Sequence, residues 1–219
     1  MLTVACVLSP GRYDETWVRK LKAGVDRHLT IPHRFVCLTN EPIEGIETVN
    51  LIHDWPGWWS KIELFRPGLF DYPVLYLDLD TMVCGNIDPL IFNSMSLTMW
   101  REEIRHLANS SVMLWSRDKS SIYRKFLNSP DQYMKEHGGD QWPYFKIFGD
   151  QAFIARFAGQ VNYWQKLYPP EWFHTFSFDG NATLDPPNPE VRLSICLGDP
   201  KFDKYPDATM VREHWKETV

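Results

Sequence analysis

Between Pro73 and Leu77 the chain reads PVLYL, and the next three residues are Asp78, Leu79 and Asp80. A strand without polar alternation is buried on both faces, the situation of a central strand in a mainly parallel sheet covered by helices. Two aspartates cannot continue such a strand, because an unpaired buried charge is very costly. The strand must therefore end at Asp78 and deliver both carboxylates to something that needs them.

The preceding chain alternates short apolar runs with helix-periodic stretches. Residues 2–8 (LTVACVL) read as a buried strand. After Pro10 and Gly11, the residues Val18, Leu21, Val25 and Leu29 recur at helical spacing, with Asp14 as the N-cap. Residues 33–39 and 47–52 read as two further strands. The stretch GWWSKIELFRPGLF then places Trp58, Ile62 and Phe65 on one helical face before the strand at 73–78. This β-α-β-β-α-β order predicts an α/β domain with a mainly parallel central sheet flanked by helices. Ligands of such sheets sit beyond the carboxyl ends of the strands, where Asp78 and Asp80 fall.

The second half is less regular. Strands are expected at 96–100 and 110–115, helices at 119–127 and 150–158, a last strand at 191–197 and a short terminal helix around TMVREHW. Residues 168–189 are rich in Pro, Asp and Asn and read as a long irregular loop. No repeat, low-complexity tract or linker divides the chain, so residues 1–219 are expected to form a single domain.

Composition removes some function classes. A net charge of −5 argues against a strongly basic nucleic-acid binder. The four cysteines, Cys6, Cys37, Cys84 and Cys196, are scattered, form no CxxC pair and sit mostly in apolar runs, as reduced thiols do. The amino terminus lacks a basic region and its apolar stretch is only strand length, so no signal peptide is expected and the cytoplasm is the expected compartment. Ten tryptophans and 15% aromatic residues suit a thick core or flat platforms for sugars or bases.

Two aspartates one residue apart can reach a single hard cation from the same side of a turn. Oxygen-only ligands favour Mg²⁺, Mn²⁺ or Ca²⁺ over zinc, with water and substrate phosphate filling the shell. The alternative is a solvated turn whose aspartates cap the short helix after Gly85.

The block SKIELFRPGLFDYPVLYLDLDTMVCGNIDPL resembles the central block of the glycogenin-like retaining glycosyltransferases of the GT-A fold. Lys61, Asp78, Asp80, Thr81, Ile87, Pro89 and Leu90 match that pattern. Downstream, NSSVMLW is similar to the family's N-S-G-V strand through Asn109 and Ser110, with Ser111 in the Gly place. GDQAFI is similar to its D-Q helix start through Asp150 and Gln151.

The resemblance implies a GT-A-like fold for nucleotide-diphospho-sugar transfer, with a nucleotide-binding half over 1–92 and an acceptor half over 93–219. It implies a metal-dependent glycosyltransferase that uses a nucleotide-sugar donor, a UDP-sugar by preference, and retains anomeric configuration. Asp78 and Asp80 would bind Mn²⁺ or Mg²⁺ against the diphosphate. Lys61 would add positive charge at the leaving group, and Asp150 and Gln151 would face the sugar as catalytic residues. Ser9, Tyr13, Asp78, Asn109 and Lys201 would contact the donor, Tyr13 by stacking on the base. Asp140-Gln141 is a competing Asp-Gln pair, set aside because Phe153, Ile154 and Phe157 make the later pair the start of an amphipathic helix.

One departure stands out. The family places a histidine metal ligand before a late G-x-x-K-P, and this chain reads ICLGDPKFDK, with Leu197 before Gly198. Asp199 is the expected substitute ligand, with His174 and His214 as outside candidates. The acceptor is a saccharide, a lipid-linked glycan, a protein or a modified nucleobase, met on an aromatic surface around Trp142, Tyr144, Trp164 and Trp172.

Two other classes compete. A haloacid-dehalogenase-like phosphatase also carries two aspartates after an apolar strand and ends in G-D-x-x-x-D, which Gly198, Asp199 and Asp203 supply. Against it, Met82 occupies a position usually held by Thr or Val, and three strands precede the motif. A non-catalytic nucleotide- or sugar-binding module is the third reading, prompted by Leu197.

Overall fold

The structure, a computed structural model, describes residues 1–101, 107–137, 149–177 and 188–218. Its elements in chain order begin with β1 (Leu2–Val7), α1 (Glu15–His28), β2 (His33–Leu38), β3 (Glu47–Val49), a 3₁₀ segment over Gly57–Phe65, β4 (Val74–Leu77) and β5 (Thr81–Val83). There follow β6 (Leu97–Arg101), β7 (Ala108–Trp115), α2 (Ser120–Leu127), α3 (Pro130–His137), α4 (Gly149–Phe157), β8 (Val161–Tyr163), α5 (Trp164–Leu167), β9 (Phe173–Ser177), β10 (Leu193–Leu197) and α6 (Thr209–His214).

Seven strands form one sheet in the order β3-β2-β1-β4-β7-β6-β8. Only β7 runs against its neighbours, so the sheet is mainly parallel. Alternate residues of the central strands enter two different cores. Val4, Cys6, Leu75 and Leu77 pack with Val18, Leu21 and Val25 of α1. Ala5, Val7, Val74 and Tyr76 pack with Ile62 and Phe65 of the 3₁₀ segment, Phe126 of α2 and Phe153 of α4. Burial on both faces is why β4 shows no polar alternation, each large side chain contributing roughly 1.5–3 kcal/mol.

The α1 helix starts as expected: the Asp14 side chain accepts from Thr16 N at 3.0 Å. The helix expected around Trp58, Ile62 and Phe65 is instead 3₁₀, with Trp59 N donating to Pro56 O and Arg66 N to Glu63 O. Prolines confine it: Pro56 precedes it, and Pro67 forces Arg66 out of helical geometry, at ψ 137°. Glu63 is fully buried in this segment, where it accepts from Ile52 N at 2.8 Å and His53 N at 3.0 Å and pairs with Arg66.

A second sheet, β5-β10-β9, lies over a third apolar cluster that includes Met82, Phe176, Phe202, Met210 and Trp215. The expected irregular stretch at 168–189 therefore contains a strand, β9. Asp78-Leu79-Asp80 is the corner between the sheets. β4 ends at Leu77, β5 begins at Thr81, and Leu79 anchors the corner by inserting into the core. Its two aspartates are left facing the same side. Among the described residues no helix is long and apolar enough to cross a membrane, and all four cysteines are free.

Candidate active site

The chain leaves β1 towards β2 on one side, while β4 lies on the other, so the β1/β4 boundary is a topological switch point. A cavity of about 570 Å³ opens at that place, within the ordinary range for a small-molecule site. The loop after β1 supplies Ser9, Arg12 and Tyr13; the 3₁₀ segment supplies Trp58 and Lys61; the corner supplies Asp78 and Asp80. The start of α4 supplies Asp150 and Gln151, and the turn after β10 supplies Asp199 and Lys201. Antiparallel β7 brings its amino-terminal residues to the carboxyl end of β4, where Asp78 N donates to Ser111 O at 2.8 Å.

Lys61 is the hub. Its ammonium lies 3.0 Å from Asp78 Oδ1 and 3.3 Å from Asp150 Oδ2, and donates to Ser110 Oγ at 3.0 Å. Ser110 Oγ in turn donates to Asp150 Oδ2 at 2.6 Å, and Tyr76 OH donates to Asp78. Burial alone would lower the Lys61 pKa, but Asp150 and Asp78 outweigh it and hold the pKa above the ordinary lysine value. Asp150 keeps a raised pKa because burial exceeds what Lys61 and Ser110 return.

A second cluster surrounds Asp80. Lys201, itself buried, donates to Asp80 Oδ2 and to Cys196 O, and Tyr13 OH donates to the same carboxylate oxygen at 3.0 Å. Burial raises the Asp80 pKa, the neighbouring Asp78 raises it further, and Lys201 and Tyr13 offset only part of this. Burial and the two aspartates likewise hold the Tyr13 hydroxyl protonated far above its usual range.

These residues fit a divalent cation by the chemistry of their donors. Four carboxylates at the cavity (Asp78, Asp80, Asp150 and Asp199) face three cations, Arg12, Lys61 and Lys201. Of the two Asp80 carboxylate oxygens, Lys201 and Tyr13 both engage Oδ2. Hard oxygen donors with surplus negative charge suit Mg²⁺ or Mn²⁺. The expected three-residue ligand set is not assembled, however. Asp199 pairs with Arg12, and among the described residues no three His, Cys, Asp or Glu side chains are grouped to hold a metal.

Other expected positions fare unequally. Ser9 lines the cavity and donates to Gly57 O at 3.3 Å. Asn109 stops short of the lining and accepts from Ser111 N at 2.8 Å, while its neighbour Ser110 makes the contacts to Lys61 and Asp150. His174 bonds Ser194 in the small sheet and His214 packs near His28, so neither joins the cavity. Trp164 is fully buried and donates to Val112 O, a core residue and not an acceptor surface; Trp172 lies under the Arg192 guanidinium. Asp140, Gln141, Trp142 and Tyr144 lie outside the described residues. Asp203, needed by the phosphatase reading, pairs with Lys204 away from the cavity. Sequence reasoning missed Arg12, Tyr76 and the cavity-facing role of Trp58. Tyr76 was readable, since it shares a strand face with Asp78.

Solved structures share this architecture. The galactosyltransferase LgtC, in complex with donor and acceptor sugar analogues, matches with a TM-score of 0.60 at 16% identity over 96% of this chain and 91% of that one. The glycosyltransferase GlyE of Streptococcus pneumoniae TIGR4 matches with a TM-score of 0.63 at 15% identity over 92% of this chain and 56% of that one. The bifunctional glycosyltransferase WbbM matches with 0.59 at 12% identity, over 92% and 46%. This chain has the GT-A fold. At these identities the likeness is one of fold, and the chain spans only about half of GlyE and WbbM. No protein-family model and no curated protein sequence matches it.

Within that fold, Gly149 sets the entry to α4. Its φ is +64°, and a Cβ there would lie 2.6 Å from Trp58 Nε1. Gly149→Ala is expected to cost about 1–3 kcal/mol, from left-handed strain and the displaced indole. Thermal unfolding checks this, as a melting temperature lowered by roughly 2–4 °C per kcal/mol.

Proposed function

We propose that this chain transfers a sugar, with retention of configuration, from a nucleotide-diphosphate donor, a UDP-sugar by preference, to an acceptor. The observation that carries the reading is the convergence of Lys61, Asp78, Asp80, Asp150 and Lys201 on one cavity at the switch point of a GT-A fold. LgtC binds donor and acceptor sugar analogues on this fold, and an active-site glutamine-to-glutamate mutant of LgtC matches this chain with a TM-score of 0.60.

Asp78 and Asp80 would hold Mn²⁺ or Mg²⁺ beside the donor diphosphate. A divalent cation bound there supplies Lewis-acid stabilisation of the leaving diphosphate. The protein's own groups do the rest. Lys61, kept charged by Asp78 and Asp150, presents a fixed positive charge where negative charge develops on the leaving group. Lys201, now on Asp80, is within reach of a phosphate placed against that carboxylate, and Arg12 faces the same space from the opposite loop. Asp150 and Gln151 form the sugar-facing wall, where a carboxylate and an amide can orient hydroxyls and offset positive charge at the anomeric carbon. Ser9 and Tyr13 lie where the nucleoside would sit.

UDP release from UDP-glucose and UDP-galactose, followed with Mn²⁺ and with EDTA, tests the reading. Release that needs the metal supports it. Binding of UDP without release would assign the chain to the non-catalytic class, and hydrolysis confined to phosphomonoesters would assign it to the phosphatases.

A further inference from the structure

Trp58 and Trp59 are neighbours in opposite environments. Trp59 is 4% exposed and stacks on Phe126 at 5.3 Å. Trp58 is 52% exposed, among the few large apolar side chains of the described residues left in solvent, and it lines the cavity. Along this 3₁₀ segment Trp59, Ile62 and Phe65 enter the core at every third position, and Trp58 does not.

The exposed indole is nevertheless held in place. Its backbone follows Gly57, at φ +54°, whose carbonyl accepts from Ser60 Oγ at 2.7 Å and Ser9 Oγ at 3.3 Å. Its ring edge is seated against the bare backbone of Gly149, where a side chain would collide with it. Gly149 is the residue that delivers Asp150 and Gln151. A flat apolar surface therefore stands at the solvent edge of the cavity, beside the sugar-facing wall.

Such a surface suits the C–H face of a pyranose, whose slightly positive hydrogens are attracted by the negative face of an aromatic ring. The neighbours of the indole select which sugar. In the donor reading Asp78, Asp80, Lys61 and Lys201 lie at the diphosphate, Ser9 and Tyr13 at the nucleoside, and Asp150 with Gln151 at the donor sugar. Trp58 rests against Gly149, the residue before Asp150 and Gln151, and is open to solvent, where a ring arriving after the donor would land. We infer that Trp58 is the platform of the acceptor subsite, taking a saccharide ring in stacked contact beside Asp150 and Gln151. The assignment rests on the donor reading above and narrows the acceptor to one that offers a pyranose face.

The test compares wild type with Trp58→Ala and Trp58→Phe, using UDP as one probe and a panel of methyl and p-nitrophenyl pyranosides as the other. UDP affinity is read by calorimetry, and pyranoside use by stimulated UDP release from a UDP-sugar. The expected result is UDP affinity within about twofold of wild type in both variants, with half-saturating pyranoside raised about tenfold or more in Trp58→Ala and largely restored in Trp58→Phe. Weakened UDP binding in Trp58→Ala would make the indole a base platform and overturn the assignment. So would unchanged pyranoside dependence, or a wild type that binds UDP but responds to no pyranoside. Absence of UDP binding in the wild type would instead remove the donor reading, and this one with it.

Discussion

Asp80→Asn is expected to reduce metal-dependent release of UDP from a UDP-sugar by about 10²–10³-fold, the scale for losing a fixed charge that stabilises a transition state. It is also expected to destabilise the fold, for a separate reason. Lys201 is buried and its ammonium rests on Asp80; without the carboxylate it becomes an uncompensated buried charge, at a cost of about 3–5 kcal/mol. The two effects can be separated by adding Lys201→Met. The double variant removes both charges, so most of the lost stability should return while turnover stays low. Calorimetric unfolding and UDP release on the three proteins make the comparison. Recovered turnover in the double variant would reduce Asp80 to a structural partner of Lys201.

Lys61→Met is expected to destabilise the fold to a similar extent. Lys61 holds Asp78 and Asp150 together, and Ser110 remains the only other partner on the Asp150 side among the contacts described. Removing the shared cation leaves the buried Asp150 facing the partly buried Asp78, costing about 3–5 kcal/mol, or roughly 6–20 °C in melting temperature for a chain of this size. The pH dependence carries a sign. In the wild type, burial already raises the Asp150 pKa, with Lys61 opposing. Without Lys61 the folded-state pKa rises further, so the folded protein binds more protons than the unfolded chain and gains stability as pH falls towards that pKa. The gap in melting temperature between Lys61→Met and wild type should therefore narrow from about pH 7.5 to about pH 5. A gap that widens on acidification would mean that Lys61 is not compensating these carboxylates.

What the sequence made legible is what short-range pattern encodes. β4 was readable because burial on both faces removes alternation, and α1 because four apolar residues recur behind a capping Asp14. The second sheet was not. β5 has three residues, too few to show a period, and β9 sits inside a Pro-, Asp- and Asn-rich stretch whose composition masks FHTFS. The 3₁₀ geometry around Lys61 came from flanking prolines acting on a segment that is periodic enough for an α-helix.

The site divides in the same way. Asp78, Asp80, Lys61 and Asp150 stand out locally and do meet. Their partners depend on long-range placement: Tyr13 and Lys201 reach Asp80 from the far ends of the chain, and Arg12 meets Asp199. Whether Asn109 or Ser110 meets Lys61 is decided by how β7 pairs with β4, with Val112 opposite Leu77, and local sequence does not contain that register. Another long-range contact pairs Asp199 with Arg12, and among the described residues no three His, Cys, Asp or Glu side chains are grouped around the position of Leu197.

Calorimetric titration of the full chain with UDP, in Mn²⁺ and again in EDTA, tests the central claim most directly. Asp78 and Asp80 with their surplus negative charge should disfavour a bare diphosphate and accept one that arrives with a divalent cation. The expected result is UDP binding in Mn²⁺ that weakens at least about tenfold in EDTA, a difference of about 1.4 kcal/mol. Equal affinity in both buffers, or no binding in either, would contradict the account.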